Sequence, residues 1–394
     1  MPALIAASAI RTCLGDGART FAALLRGDCG VGPIRDVDGA RLNVTAGYHI
    51  IDDDRHNVDQ HRDDRRPDER AEALYRPSRW LADCIRDVLA DAHLDAARQR
   101  LIVLVGTGLR ELRIAERCAD DTGQASIDAA TERLHFDAAV REVCPGVAQV
   151  ITISNACSAG GHALALAQDL IDLGEADAVI AAATDGMTES MLAMIGRFAN
   201  GPTPRVRPFD RDRLGALLGE GAAALAIVPD RTPDVRPLAR LLSSGMSCDA
   251  THETVPNADG IMRAIADAFT RAGRTPADVD LVVAHGTGTA LNDPTEAALL
   301  QREFETRTTP PLITGIKGAL GHTSGAAALM NVDVAIRCLH GSVVPPVVGL
   351  RERLDEGAAL SFVMDAPVEA TLRLAQINAF GFGGVNTITL VEAA

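Results

Sequence analysis

The chain has 394 residues, 47% of them hydrophobic and 23% charged, the balance of a soluble globular protein with more than one hydrophobic core. A formal net charge of −15 and an aromatic content of 3% argue against nucleic-acid binding, because phosphates would be repelled and there is little to stack on bases. No apolar run is long enough to span a membrane, so neither class of partner is expected.

The segment from Met1 to Ile10 is apolar without a basic leader and reads as a first strand, which with the scattered cysteines points to a cytoplasmic protein. Asp52 to Arg70 is dense in Asp, Arg and His and reads as a solvated loop. Leu101–Val105 is strand-like and ends in Gly106-Thr107-Gly108. Val150–Ser154 turns at Asn155-Ala156 into a helix of small residues, Cys157-Ser158-Ala159-Gly160-Gly161. Gly219-Glu220-Gly221 then precedes a strand at Ala224–Val228.

The same signatures return in the same order. Leu281–Ala284 leads through His285 into Gly286-Thr287-Gly288. Leu312–Gly315 leads to His322-Thr323-Ser324-Gly325, and Gly381-Phe382-Gly383-Gly384 precedes a strand at Thr387–Val391. The pattern predicts a duplicated α/β unit, with a Pro-rich connector at Pro229, Pro233 and Pro237 dividing an N-terminal half, 1–230, from a C-terminal half, 231–394.

Eight cysteines occur without any metal-ligand spacing, so no metal is expected. Cys157 stands out because it follows a strand and opens a helix. Free N–H groups and the positive end of the helix would lower its thiol pKa, and the following glycines would let a substrate approach. His162, five residues on, turns to another face and reads as structural. His285 and His322 sit at a strand end and at a loop-to-helix junction, the ligand-facing ends of an α/β fold. Of 38 basic residues one alone is lysine, Lys317, five residues before His322. Asp293-Pro294-Thr295-Glu296 reads as a capping box that starts a helix. No Gly-rich dinucleotide fingerprint follows a strand, so a Rossmann cofactor is not expected.

Together, Asn155-Ala156-Cys157-Ser158-Ala159-Gly160-Gly161, Ala284-His285-Gly286-Thr287-Gly288-Thr289 and Gly315-Ile316-Lys317-Gly318-Ala319-Leu320-Gly321-His322 resemble the β-ketoacyl-acyl-carrier-protein synthases of the elongating, Cys-His-His branch. Asn378-Ala379-Phe380-Gly381-Phe382-Gly383-Gly384 resembles that family's C-terminal gating loop. The resemblance implies a thiolase-like, duplicated five-layered α/β/α/β/α fold. It implies that Cys157 carries an acyl chain as a thioester, and that the backbone N–H groups of Cys157 and Phe382 form an oxyanion hole. His285 and His322 would polarise the malonyl thioester carbonyl as carbon dioxide leaves, with Lys317 holding His322 and the local field, while Thr287 and Thr289 would meet the pantetheine arm.

That arm, a phosphopantetheine, would arrive on an acyl carrier protein, with no permanently bound cofactor. The assembly implied is a homodimer or a heterodimer with a paralogous subunit. Arginines of 62–79, including Arg65, Arg66, Arg70, Arg76 and Arg79, are expected to dock the carrier protein. Two departures from the family pattern bear on substrate. Ala216 stands where phenylalanine is common beside the cysteine, and Asn331 stands where many members carry glutamate. The expected reaction is decarboxylative condensation in fatty acid or specialised polyketide or polyene synthesis. Acyl transfer to an amine or alcohol without elongation, or a non-elongating partner subunit, are the alternatives.

Overall fold

The computed structural model describes residues 3–35, 37, 39–51, 75–120, 134–198, 203–233 and 235–394. Asp52–Arg70 therefore lies outside the described residues. Ten strands carry the repeat. The first half supplies β1 (Ala3–Thr12), β2 (Leu101–Gly106), β3 (Gln149–Ile153), β4 (Ala178–Asp185) and β5 (Gly221–Pro229). The second supplies β6 (Ala239–Cys248), β7 (Leu281–Val283), β8 (Leu312–Thr314), β9 (Leu374–Gly381) and β10 (Val385–Ala393).

The two sets pair in the same order and sense. The first runs β1-β5-β4-β2-β3 and the second β6-β10-β9-β7-β8. In each, the first two neighbour pairs are antiparallel and the last two parallel. β1 and β6 join the sets through a short antiparallel contact of Ala3–Ile5 with Ala239–Leu241, giving one sheet of twelve strands with two short additions.

Alternation along the strands builds the layers. In β4, Val179, Ala181 and Ala183 enter the central core, while Ala178, Ile180 and Ala182 enter an outer one. In β7, Leu281 and Val283 face the centre and Val282 faces the other side. Strands buried on both faces must be apolar at every position, which is why these runs show no polar alternation in the sequence.

The centre holds two helices, α2 (Ala159–Asp172) and α5 (Ala327–Gly341), apolar nearly all round. Outside the first sheet lies α1 (Arg76–Asp91), with Trp80, Leu81, Ile85 and Val88 against it. Outside the second lie α3 (Ala258–Ala272) and α4 (Asn292–Glu303). The result is the expected five-layered, thiolase-like α/β/α/β/α architecture. No helix among the described residues is long and apolar enough to cross a membrane.

Small residues let the two central helix starts meet. A Cβ on Gly160 would come within 2.8 Å of the Gly325 carbonyl oxygen, and one on Gly325 within 2.7 Å of Thr107 Cα. A Cβ on Gly161 would come within 2.0 Å of Thr387 Oγ1. These glycines serve protein packing rather than the approach of a substrate, which corrects the expectation above.

Candidate active site

The carboxyl ends of the parallel strands converge on one site. β3 delivers Cys157 in a 3-10 turn, Ala156–Ser158, just before α2. Ala156 holds φ +48°, a left-handed conformation that turns the chain sharply before the thiol. The second half repeats the turn at Ser324–Ala326, with Ser324 at φ +47°. Gly325, not His322, is thus the structural counterpart of Cys157. His322 belongs to the loop before that turn, where its N–H donates to the Leu217 carbonyl at 2.8 Å.

Cys157 is half-buried. The backbone N–H groups of Phe382 and of Cys157 itself act on its sulfur. The thiol is nevertheless pushed up to about 11, with burial as the main cause, Lys317 opposing and Asp185 adding. The expected depression of its pKa is therefore overturned: desolvation outweighs the N–H groups and the ammonium. At neutral pH the group is a thiol, not a thiolate.

His285 and His322 stand edge to face, ring centroids 5.5 Å apart at 86°. Lys317, from the short helix after β8, is 1% exposed. Its Nζ donates to the His285 carbonyl and lies 3.3 Å from His285 Nδ1, so it holds His285 by hydrogen bonds rather than His322 as expected, and reaches His322 through its charge. The Phe380 N–H also donates to that Nδ1, at 3.4 Å. Two donors on Nδ1 leave the proton on Nε2, so His285 is the neutral Nε2–H tautomer. Burial, then Lys317 and then His322 hold His285 well below the usual histidine range; burial and Lys317 do the same to His322. Lys317 itself is lowered to about 8 by burial, with Glu296, Cys157 and Asp293 opposing.

Three carboxylates missed by the sequence reading hold this site in shape. Asp293 and Glu296 do not form a capping box, since α4 begins at Asn292 and both lie inside it. Asp293 instead accepts the N–H groups of Phe209 (2.7 Å), Thr287 (2.9 Å) and Gly288 (3.0 Å), and Glu296 those of His285 (2.7 Å) and Gly286 (2.8 Å). The loop needs them because its N–H groups lie outside any ladder.

Asp185, closing β4, accepts from Thr107 Oγ1 (2.7 Å) and the N–H groups of Gly108 (2.9 Å), Leu109 (2.8 Å) and Gly325 (2.6 Å). Burial raises its pKa to about 6 against those four donors. An acid ending a run of buried alanines was the available signal in the sequence.

The other expected residues are spread around this centre. Thr287 and Thr289 share a hydroxyl hydrogen bond of 2.9 Å, and Arg213 Nε donates to the Thr289 carbonyl at 3.1 Å. Phe382 is 45% exposed in the turn between β9 and β10, where Gly383 and Gly384 hold φ +86° and +77°. Ala216 is half-buried next to Leu217, the partner of His322. Asn331 is 1% exposed on α5, and neither its Oδ1 nor its Nδ2 has a hydrogen-bond partner among the described residues. The structure therefore does not join Asn331 to the histidines by a hydrogen bond. His162 bonds its Nδ1 to the Ser158 carbonyl of its own helix, at 3.0 Å.

Arg65, Arg66 and Arg70 lie outside the described residues. Arg76 is no free docking group, because it bonds Glu220 at 3.1 Å and the Ile50 carbonyl at 2.6 Å and stacks over Trp80. Among the described residues no cluster of side chains could hold a metal ion.

Comparisons with known proteins agree over the whole chain. Residues 2–232 match the model of the beta-ketoacyl synthase N-terminal domain, and residues 238–351 that of the C-terminal domain. The 3-oxoacyl-[acyl-carrier-protein] synthase 2 of Mycobacterium tuberculosis (strain H37Rv) is 30% identical over 393 residues, covering 94% of this chain and 92% of the relative. Nodulation protein E of Rhizobium meliloti is 32% identical over 243 residues, 61% of this chain and 60% of that one. The ishigamide ketosynthase/chain length factor superposes with a TM-score of 0.84 at 26% identity, over 100% of this chain and 99% of the other. A beta-ketoacyl synthase from Burkholderia phymatum gives 0.87 at 22% identity, with the same coverage.

Proposed function

The chain belongs to the beta-ketoacyl synthase family, and we propose that it condenses a Cys157-bound acyl chain with malonyl-carrier protein, releasing carbon dioxide. The observation that carries this reading is one half-buried thiol in the company of two neutral histidines and the chain's one lysine.

In the first half-reaction the Cys157 sulfur attacks an acyl thioester and the carrier thiol leaves with the proton. The N–H groups of Cys157 and Phe382 stabilise the oxyanion, since both already act on that sulfur. In the second, the Nε2–H of His285, together with His322, holds the malonyl thioester oxygen as the bond to the carboxylate breaks. The enolate carbon then attacks the acyl carbonyl and Cys157 leaves. Neutral histidines suit this role, because they donate without placing a full positive charge beside a departing carbon dioxide. Lys317 keeps the Nδ1 side of His285 occupied by donors and so fixes its tautomer.

Thr287 and Thr289 are the hydroxyls available to a phosphopantetheine arm brought by the carrier protein, and no resident cofactor is part of the reading. The halves divide at 230/231, and free thiols at Cys13, Cys29, Cys84, Cys144, Cys157, Cys248 and Cys338 support a reducing, cytoplasmic setting. A second chain of the same fold, identical or paralogous, completes the assembly. In support, the edge strand β3 leaves Val150, Ile151 and Ile153 half-exposed. The product enters fatty acid or polyketide synthesis.

The test is mass spectrometry of the protein with acyl- and malonyl-carrier proteins. A Cys157-bound acyl group followed by a product two carbons longer supports the reading. Acylation of Cys157 followed by transfer to an amine or alcohol, with no carbon dioxide, overturns it.

A further inference from the structure

Behind the histidines runs a chain of buried polar side chains that the reaction above does not use. Glu303 and Glu296 lie seven residues apart on one face of α4, and Gln376 and Asn378 alternate on one face of β9. Gln376 Nε2 donates to Glu303 Oε2 and to Asn378 Oδ1, both at 3.1 Å. Asn378 Nδ2 donates to Glu296 Oε1 at 3.0 Å, and Glu296 in turn accepts the His285 and Gly286 N–H groups. Glu296 is also the charge that most favours the ammonium of Lys317. The chain thus connects Glu303, 18 residues along the sequence from His285, to Glu296, which holds the backbone of the His285 loop and favours the ammonium of Lys317.

Glu303 is 9% exposed and Gln376 0%, and among the described residues neither Glu303 Oε1 nor Gln376 Oε1 has a donor. Reversing the Gln376 amide would only set its oxygen against Glu303 Oε2 and Asn378 Oδ1, two further acceptors. A proton on Glu303 Oε1 turns one of these orphaned acceptors into a donor and removes a buried charge whose hydrogen-bond partner among the described residues is a neutral amide. We propose that Glu303 is a neutral carboxylic acid and a positioning residue, holding Glu296, and through it His285 and Lys317, by way of Gln376 and Asn378.

Burial raises the Glu303 pKa to about 8 against the Gln376 hydrogen bond, in agreement with that state. No charged group offsets it. Arg302 and Glu305 beside it are exposed; Asp259, Arg263, Asp267 and Arg271 on α3, and Asp355 and Glu356 in the turn against α4, have no resolved interaction with it. The positioning role rests on the proposed condensation; the protonation state does not.

Two variants of the full-length protein test it. Glu303→Gln keeps the side chain neutral with both a donor and an acceptor; Glu303→Leu removes both. The infrared difference spectrum of wild type against Glu303→Gln at pH 7 is expected to show the carbonyl stretch of a protonated acid. A carboxylate band there overturns the neutral state. The imidazole nitrogen resonances of His285 are expected to match wild type in Glu303→Gln and to shift in Glu303→Leu. Unchanged resonances in both overturn the positioning role, whatever the activity. Carbon dioxide release from malonyl-carrier protein should fall on the order of ten- to a hundred-fold in kcat for Glu303→Leu with KM unchanged, and recover in Glu303→Gln. If no wild-type release is seen, the condensation reading fails while the infrared and resonance outcomes still decide this one.

Discussion

Lys317 Nζ lies 3.3 Å from His285 Nδ1 and donates to the carbonyl of the same residue, so one ammonium fixes both the ring and the backbone of one histidine. The contact explains why one lysine persists among 38 basic residues. A compact ammonium fits a fully buried site, and a Cβ on the next residue, Gly318, would already come within 1.7 Å of the Val348 carbonyl oxygen. A planar guanidinium does not reproduce that point contact. Lys317→Arg should fold but lose on the order of a hundred-fold or more in carbon dioxide release from malonyl-carrier protein. Wild-type turnover in that variant would remove Lys317 from the machinery.

The same lysine sets an alkaline limit. Its folded pKa is about 8, below its usual 10.5, so the ammonium is present below about pH 8 and is lost as pH rises through it. Condensation should fall across that range. Stability should move the other way: between about 8 and 10.5 the unfolded chain binds the extra proton, so the Lys317 contribution to stability rises with pH. Rates and denaturant midpoints measured from pH 7 to 10 check both signs.

Asp185 and Cys157 form a second opposed pair. The carboxylate raises the thiol pKa while its four hydrogen bonds tie Thr107–Leu109 to Gly325. Asp185→Asn should speed alkylation of Cys157 by iodoacetamide at pH 8, because a charge opposing the thiolate is gone. The same change should cost about 1–3 kcal/mol of stability, since an amide brings a donor into a nest of donors. Adding Cys157→Ala to Asp185→Asn should abolish the gain in alkylation. Slower alkylation in Asp185→Asn than in wild type would contradict the electrostatic assignment.

Ala216 is half-buried and adjoins Leu217, whose carbonyl accepts the His322 N–H, and the proposed reading assigns it to the wall of the acyl pocket. Ala216→Phe should lower kcat/KM for bulky or rigid acyl donors at least several-fold more than for acetyl. An equal response across donors would show that Ala216 does not shape the acyl pocket.

Asn331 places in the apolar centre of α5 an amide with no hydrogen-bond partner among the described residues. Replacing it by leucine removes an unsatisfied buried group and should raise stability by about 1–3 kcal/mol. A lower Tm for Asn331→Leu would mean that the amide has a partner the protein needs.

The sequence by itself determined the repeat and the positions of its candidate residues, and the resemblance carried by its motifs implied the five layers and the site they form. Strand-then-glycine signatures mark where chain direction must change, and Cys157, His285, Lys317 and His322 stand at such points. Their chemical state could not be read there. The helix start suggested an acidic thiol, but burial raised Cys157 to about 11, since desolvation depends on what the whole fold stacks around the sulfur. Asp293 and Glu296 matched a capping box because a local pattern shows only local partners. Tertiary structure turned both carboxylates onto the N–H groups of the His285 loop. Glu303 and Gln376, 73 positions apart, carried no signal at all until α4 was laid against β9. Order and spacing are properties of one strand of text, whereas desolvation and hydrogen-bond partnership are properties of neighbours brought together in space.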